Sequence, residues 1–314
     1  MKNLLLSNDD GISSRGLWAL KEFFDPRYRV YVVAPDRERS ASGHSISLHD
    51  PIRLKVIEEG RIFSVSGTPV DAVHLALLGV VREKIDLVIT GINIGLNLGT
   101  DVFYSGTVSS AFQAASFNIP GIAVSIDNSV SKGTADSSES AELKESGESK
   151  DQAESKDSTE SKVSAEFRDS GPSEEPNNGQ TTGSEASSDT GGGTIHFGTA
   201  VHFVNEIIEK MEEDQLDRKI LLNVNVPNLP LEEIRGVEVT KLGKRHYYDS
   251  LIEREDPKKN KYYWIEGILT HDTLDEGTDV RAVHEKKVSI TPLRLDITAH
   301  DYVEKLKRWK FHDF

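Results

Sequence analysis

Leu4-Leu5-Leu6-Ser7-Asn8-Asp9-Asp10-Gly11 decides how the rest of the chain is read. A continuous apolar triplet stopped by turn-forming residues is the pattern of a short buried strand. Outward from it, Leu17, Leu20 and Phe24 recur at three- and four-residue spacing, which predicts a helix from about Ser14. Val30-Tyr31-Val32-Val33-Ala34 reads as a second buried strand, rich in β-branched residues and closed by Pro35. Thr68-Pro69-Val70-Asp71 opens a helix, with Thr as cap, Pro in the first turn and Asp at the positive end. A strand at 85–90, a helix over about 107–117 and a strand at 121–126 follow. Strands alternating with helices of this length predict βαβ units and a parallel sheet.

The same pattern resumes far downstream. Val201, Val204, Ile208 and Met211 share one face of a helix over 199–211, and Leu221-Leu222-Asn223-Val224-Asn225-Val226 is another strand. The stretch 129–193 therefore interrupts one α/β domain, whose two parts are 1–128 and 194–314. Beyond residue 237 the pattern changes. Val237–Thr240 and Tyr262–Ile265 read as strands flanking a charged arm, Arg254 to Lys261. Val288–Leu293 is a further strand, and Val303, Leu306 and Trp309 suggest a short closing helix. An exposed arm bearing Tyr262, Tyr263 and Trp264 is a candidate contact between subunits. The same residues also suit an ordinary hairpin packed on its own domain.

Of the 314 residues, 37 are basic and 52 acidic, a formal charge of −15. Ser131 to Thr190 holds 15 Ser, 10 Glu, 5 Asp, 5 Lys and 1 Arg, and so accounts for −9 of it. Its sizeable apolar side chains are only Leu143, Val163 and Phe167, too few to offset the entropy of ordering. Glu-Ser-Lys recurs there at 148–150, 154–156 and 160–162, a period that fits neither a helix nor a solenoid. A disordered insert is expected. The remaining −6 is ordinary for a soluble domain, and no domain-scale basic patch for a stable nucleic-acid partner is expected.

The chain has no cysteine, which excludes disulfides, thiolate metal sites and cysteine nucleophiles. The leucines at 4–6 stop too soon for a secretory segment, and no run approaches the roughly 18 apolar residues that span a bilayer. A cytoplasmic protein without a membrane partner is the expectation.

Chemistry is expected at the carboxyl ends of the strands, where open parallel sheets bind ligands. Asp9 and Asp10 sit at such an end. Adjacent carboxylates repel one another, and a hard divalent cation would compensate them. Alone, Asn8-Asp9-Asp10-Gly11 is equally a surface turn. The other strand ends are polar too. After the second strand comes Pro35-Asp36-Arg37-Glu38-Arg39-Ser40-Ala41-Ser42-Gly43-His44-Ser45, and Gly91 to Gly99 offers the amides of Asn93 and Asn97 among glycines that permit close backbone approach. Tyr104-Ser105-Gly106-Thr107 falls where a helix should begin, so free N–H groups, two hydroxyls and the helix dipole would cradle a phosphate. Ser105 or Thr107 as a plain N-cap is the simpler alternative.

Leu6–Gly11, Ala34–Ser40, Gly91–Asn93 and Tyr104–Val108 together resemble the signature segments of the SurE survival-protein family. Ser66–Pro69, Asn223–Pro227 and Val288–Leu293 resemble it in the same order. The resemblance covers nearly everything outside 129–193. It implies a Rossmann-like α/β fold: an open, mostly parallel sheet with helices on both faces. It also implies a C-terminal extension, here the β-hairpin arm, exchanged within a homodimer or homotetramer. The activity implied is metal-dependent hydrolysis of nucleoside 5′- and 3′-monophosphates, and in some members of polyphosphate. One divalent ion per subunit, Mg²⁺ or Mn²⁺, would be held by Asp9, Asp10, Ser40 and Asn93.

On that reading Asn97, Ser105, Gly106 and Thr107 cradle the phosphate, and Asp9 or Asp10 acts as nucleophile or general base. His44, the imidazole nearest a ligand loop, is expected to line the substrate or serve the structure. Haloacid-dehalogenase-type phosphatases also place an Asp after the first strand. They use Asp-x-Asp followed by Thr or Val, unlike the adjacent pair before Gly11. A nucleotide-binding regulator without turnover is the other alternative, although no Gly-x-Gly-x-x-Gly fingerprint follows the first strand.

Overall fold

The computed structural model describes residues 2–128, 194–214 and 220–309. The expected disordered insert, 129–193, lies outside the described residues. In chain order the elements begin with β1 (Asn3–Ser7), α1 (Arg15–Phe24), β2 (Arg29–Pro35), β3 (Leu54–Glu58), β4 (Ile62–Val65) and α2 (Pro69–Leu75). Next come β5 (Leu87–Ile94), α3 (Gly106–Ser116), β6 (Gly121–Ile126), α4 (Phe197–Asp214) and β7 (Leu221–Val226). Last are β8 (Val237–Val239), β9 (Lys244–Glu255), β10 (Lys261–Thr273), α5 (Asp279–His284), β11 (Val288–Leu293) and α6 (His300–Leu306).

Nine strands form one sheet in the order β3-β4-β2-β1-β5-β6-β7-β11-β8. From β4 to β7 every neighbouring pair is parallel, and the antiparallel pairs are β3 with β4 and β7 with β11. The alternation of β1 explains why both faces must be covered. Leu4 and Leu6 pack with α1 and α4, through Leu17, Leu20, Phe24, Val204 and Ile208. Leu5 packs on the opposite face with Ala72, Val73 and Ala76, beside Ala114 of α3. Triple leucine is thus a strand sealed on both sides, the state that a parallel sheet demands. α2 begins as its sequence implies: the Thr68 hydroxyl accepts the Asp71 N–H at 3.0 Å, and the Asp71 carboxylate accepts the Thr68 N–H at 2.8 Å.

The structure departs from the sequence reading in several places. β5 runs on to Ile94, with its pairing to β6 broken between Thr90 and Asn93. The strand at Val237 joins the edge of the main sheet beside β11, while β9 and β10 pair with each other as a long separate hairpin. Charged residues along Lys244–Glu255 hid that strand from a hydropathy reading. β3 escaped because all its side chains are exposed, β4 because it has four residues, and α5 because it has six. α6 forms, but none of its residues is buried and Trp309 is exposed, so it does not close the core. Among the described residues no helix is long and apolar enough to cross a membrane.

The chain leaves and re-enters this fold over one short segment. The Asp127 N–H donates to the Val226 carbonyl at 3.0 Å. Asn228 accepts the His196 N–H at 2.9 Å and donates to the Thr194 carbonyl at 3.2 Å. Deleting residues 131–190 should therefore leave the melting temperature within a few degrees of the parent, because loop closure changes by only about 0.6 kcal/mol per doubling of length. Thermal denaturation of the deletion variant checks this, and loss of a cooperative transition would refute it.

Candidate active site

The chain steps from β1 outward to β2 and β4, then returns to β5 on the other side of β1. That reversal opens a crevice over the carboxyl ends of β1 and β5. Asp9 leaves β1 directly beneath the start of α3. Its carboxylate accepts the Thr107 N–H at 3.2 Å and the Thr107 hydroxyl in a short hydrogen bond. The Arg39 N–H donates to the Asp9 carbonyl at 2.7 Å, which ties the segment after β2 to the same point. Ser105 caps α3 by accepting the Val108 N–H at 3.1 Å. A Cβ on Gly106 would lie 2.9 Å from both the Asp9 Cβ and the Ser42 Oγ, so only glycine fits there.

The structure thus brings Asp9, Ser105, Gly106 and Thr107 together. Thr107 is fully buried and its hydroxyl serves Asp9, which makes it a support of the carboxylate rather than an open wall of a cradle. Asn93 sits on the final turn of β5, where its amide nitrogen donates to the Gly95 carbonyl at 2.6 Å. Ser40 is exposed and donates to Glu38 at 2.6 Å. The Asn97 side chain donates to the Ser125 hydroxyl at 2.8 Å within the protein. His44 is exposed, with Nε2 3.2 Å from Gln113 Oε1, and Gln113 Nε2 is 2.7 Å from His74 Nδ1. A histidine–amide–histidine chain therefore fixes its ring.

Burial lifts Asp9, Asp10 and Asp279, and the first two lie at this crevice. Burial pushes Asp9 above its ordinary value, with the Thr107 hydrogen bonds pulling it back. Asp10 is pushed up to about 7 by burial first, then by the nearby charges of Asp9 and Glu38. Asp10 Oδ2 and Asn8 Oδ1 are both buried without a hydrogen-bond partner. Buried oxygens of this kind are rare unless a ligand completes them. Among the described residues no three His, Cys, Asp or Glu side chains gather as a metal cluster. A cation here would have two adjoining carboxylates and neutral oxygens, a donor set that suits a hard ion retaining water. A cavity of about 930 Å³ opens at the opposite sheet edge among Leu4, Leu87, Phe117 and Met211, but the orphaned carboxylate oxygen lies in the crevice instead.

A second layer of residues, unassigned by the sequence reading, holds the crevice in place. Asn225 accepts the Asn97 N–H at 2.8 Å and donates to its carbonyl at 3.0 Å, and Asn223 donates to the same carbonyl at 2.8 Å. Asp279 is wholly buried and accepts the N–H groups of Gly99, Gly243 and Val280 at 2.7–2.9 Å. Gly99 has φ +53°, and a Cβ there would meet the Gly243 carbonyl at 2.6 Å. The available signal was Asn-Val-Asn-Val in β7: polar residues at alternate positions of a strand otherwise made for burial.

Asp10 carries a pH dependence whose sign follows from its shift. An unfolded Asp titrates near 3.8 and the folded one near 7, so ionising it opposes folding. The penalty is absent below about pH 4, grows as pH rises, and is complete above about pH 7. In chelator, Asp10→Asn should therefore melt higher than the parent at pH 8, by about 2 kcal/mol of stability after allowance for partial solvent screening. The difference should vanish near pH 4. Melting curves across that range test it, and a variant less stable than the parent at pH 8 would contradict the assignment.

The family model described as survival protein SurE matches residues 4–162 and 180–249. A 5′-nucleotidase SurE of Thermoanaerobacter sp. (strain X514) is 36% identical over 98% of this chain and 97% of its own length. A 5′-nucleotidase SurE of Chloroflexus aggregans is 35% identical over 98% and 99% respectively. The crystal structure of the SurE protein from Aquifex aeolicus superposes with a TM-score of 0.67 at 32% identity, covering 97% of this chain and 98% of that one. With a family model matching most of its length and relatives above 30% identity end to end, the chain belongs to the SurE survival-protein family.

Proposed function

We propose that this chain is a metal-dependent phosphatase that hydrolyses nucleoside 5′-monophosphates to nucleoside and phosphate. The observation that carries the reading is the adjoining Asp9–Asp10 pair, unsatisfied at Asp10 Oδ2, beside the N-terminus of α3. The curated relatives named 5′-nucleotidase support the substrate class. Asp9, Asp10, Asn93 and Ser40 would hold one divalent ion per subunit, Mg²⁺ or Mn²⁺, with Ser40 turning from Glu38 to do so. Such an ion, when bound, supplies Lewis acidity toward the phosphoryl group.

The remaining work falls to the chain itself. Thr107 holds the Asp9 carboxylate in one orientation through two donors. The α3 N-terminus offers the Gly106 N–H and its dipole to the equatorial oxygens as charge builds there. Asp9 or Asp10 acts as nucleophile or as the base that takes a proton from water. Every contact in this scheme is to the phosphoryl group rather than to base or sugar. Nucleoside 3′-monophosphates and short polyphosphate therefore enter the proposal as further substrates. A cytoplasmic setting is consistent with intracellular nucleotides as substrate.

A substrate panel with Mg²⁺, Mn²⁺ or chelator tests the reading directly. Phosphate should be released from 5′-monophosphates with metal and not with chelator. Asp9→Asn should lower kcat/KM by about a hundredfold or more while the fold persists. Nucleotide binding without phosphate release under all metals would instead identify a regulator that lacks turnover.

We also propose that β9 and β10 mediate a homodimer or homotetramer. Tyr248, Leu251, Trp264 and Ile265 are exposed on that hairpin, an apolar surface of the kind favoured at interfaces. Light scattering at micromolar concentration should give at least twice the chain mass of 34.8 kDa. Trp264→Glu with Ile265→Glu should shift the protein toward monomer, and a monomeric parent would rule the arm out.

A further inference from the structure

The segment between β2 and β3 is pinned over the crevice by contacts to the starts of α2 and α3. The Gly43 N–H donates to the Tyr104 carbonyl at 3.0 Å, immediately before α3. The Ser42 carbonyl accepts the Ser45 hydroxyl at 2.9 Å, and the Ser45 carbonyl accepts the Thr68 hydroxyl at 2.8 Å. Asp71 takes both the N–H and the hydroxyl of Ser47, at 2.9 and 2.6 Å. The backbone at Ser42 is thus held from both sides against the starts of α2 and α3.

What this placement delivers is one hydroxyl. Ser42 Oγ is buried and has no hydrogen-bond partner. It faces the α carbon of Gly106 so closely that a Cβ there would stand 2.9 Å from it, and 3.0 Å from Asp9 Oδ2. A fixed, buried hydroxyl without a partner is a standing cost that a protein removes easily by substituting alanine. Here it stands at the first residue of an eleven-residue helix, beside the Gly106 N–H, which no carbonyl of the helix can take. Ser40, by contrast, directs its hydroxyl outward to Glu38.

We infer that Ser42 is a further phosphate-binding residue, whose hydroxyl donates to a phosphoryl oxygen of the substrate seated at Gly106. The inference rests on the phosphatase reading of the site and adds a residue to it. The α3 N-terminus supplies the Gly106 N–H, and Ser42 supplies a second donor from the facing loop. A donor there matters because Asp9 stands beside the same point, and its negative charge repels the anion.

The test uses Ser42→Ala and Ser42→Cys in the full chain with Mn²⁺. KM for a nucleoside 5′-monophosphate should rise roughly tenfold, with a smaller fall in kcat, as expected for one lost hydrogen bond to a charged group. Inorganic phosphate should raise the melting temperature of the parent in Mn²⁺, and raise that of both variants less at equal concentration. The Mn²⁺ binding midpoint without phosphate should match the parent. Ser42→Cys keeps the shape with a weaker donor and gives the same readouts if Ser42→Ala folds poorly. A parent-like KM and phosphate shift in the variants, or no phosphate shift in the parent, overturns the inference. So does a weakened Mn²⁺ midpoint, which would make the hydroxyl a cation ligand. A parent that binds phosphate but hydrolyses no nucleoside monophosphate overturns the proposed function, and the phosphate shift of the variants then still decides the role of Ser42.

Discussion

Thr107 donates its backbone N–H and its hydroxyl to Asp9, and much of the site depends on that contact. It joins the end of β1 to the start of α3 across the point where strand order reverses. A carboxylate this buried would be too costly to ionise alone, and the helix N-terminus offsets part of the cost. The contact also fixes the neighbours. Gly106 must lack a side chain because Asp9 and Ser42 meet it at van der Waals distance. The segment after β2 is drawn in because the Asp9 carbonyl accepts the Arg39 N–H.

The second constraint is a polar seam behind the crevice. Asn225 reads the N–H and the carbonyl of Asn97 together, as a paired strand would, and so gives a loop the definition of a sheet. The seam continues through Thr240, whose hydroxyl lies 2.8 Å from Ser289 and 2.7 Å from Thr291. Asn223 donates to the Asn97 carbonyl as well, but its Oδ1 is buried without a partner, so the seam is not fully satisfied. Further out, Arg245 at the root of the hairpin pairs with Asp101 at 2.7 Å and Asp272 at 3.0 Å, and Tyr247 donates to Asp101 at 2.8 Å. Burial and that carboxylate push the Tyr247 hydroxyl up to about 12, so it remains a donor at any physiological pH. The turn that leads into α3 is thereby tied to the base of the hairpin.

The core of this architecture was legible because each element declared itself locally. Leu4–Leu6, Val30–Ala34 and Gly121–Ile126 are short apolar runs between turn signals, and Thr68–Asp71 spells its own cap. Strand ends then pointed to the crevice, and the ordered signature segments to the family. What stayed hidden depends on partners distant in sequence. Nothing local in Asn223 or Asn225 reveals that both reach Asn97, and nothing in Asp279 reveals Gly99 and Gly243. The hairpin was misjudged for a related reason. A strand paired to only one neighbour, with both faces exposed, needs no hydrophobic alternation, so β9 carries Arg245, Glu253 and Arg254 without penalty.

Four buried or partly buried aspartates show how structure and chemistry divide one residue type. Asp71 receives the Thr68 N–H and both donors of Ser47, and Asp279 receives three backbone N–H groups. Each acts as a fixed acceptor that organises backbone, and burial still lifts Asp279 above its usual range. A raised pKa therefore does not by itself mark a functional carboxylate. Asp9 is intermediate, with its oxygens directed by Thr107 and its side chain packed against Gly106. Asp10 differs in kind. Its Oδ2 is buried and unpartnered while Asp9 and Glu38 crowd it with like charge. An arrangement that leaves a carboxylate oxygen unsatisfied among other anions is unfavourable unless something positive completes it. The separation of anchored Asp71 and Asp279 from exposed need at Asp10 locates the chemistry more sharply than burial or pKa does alone.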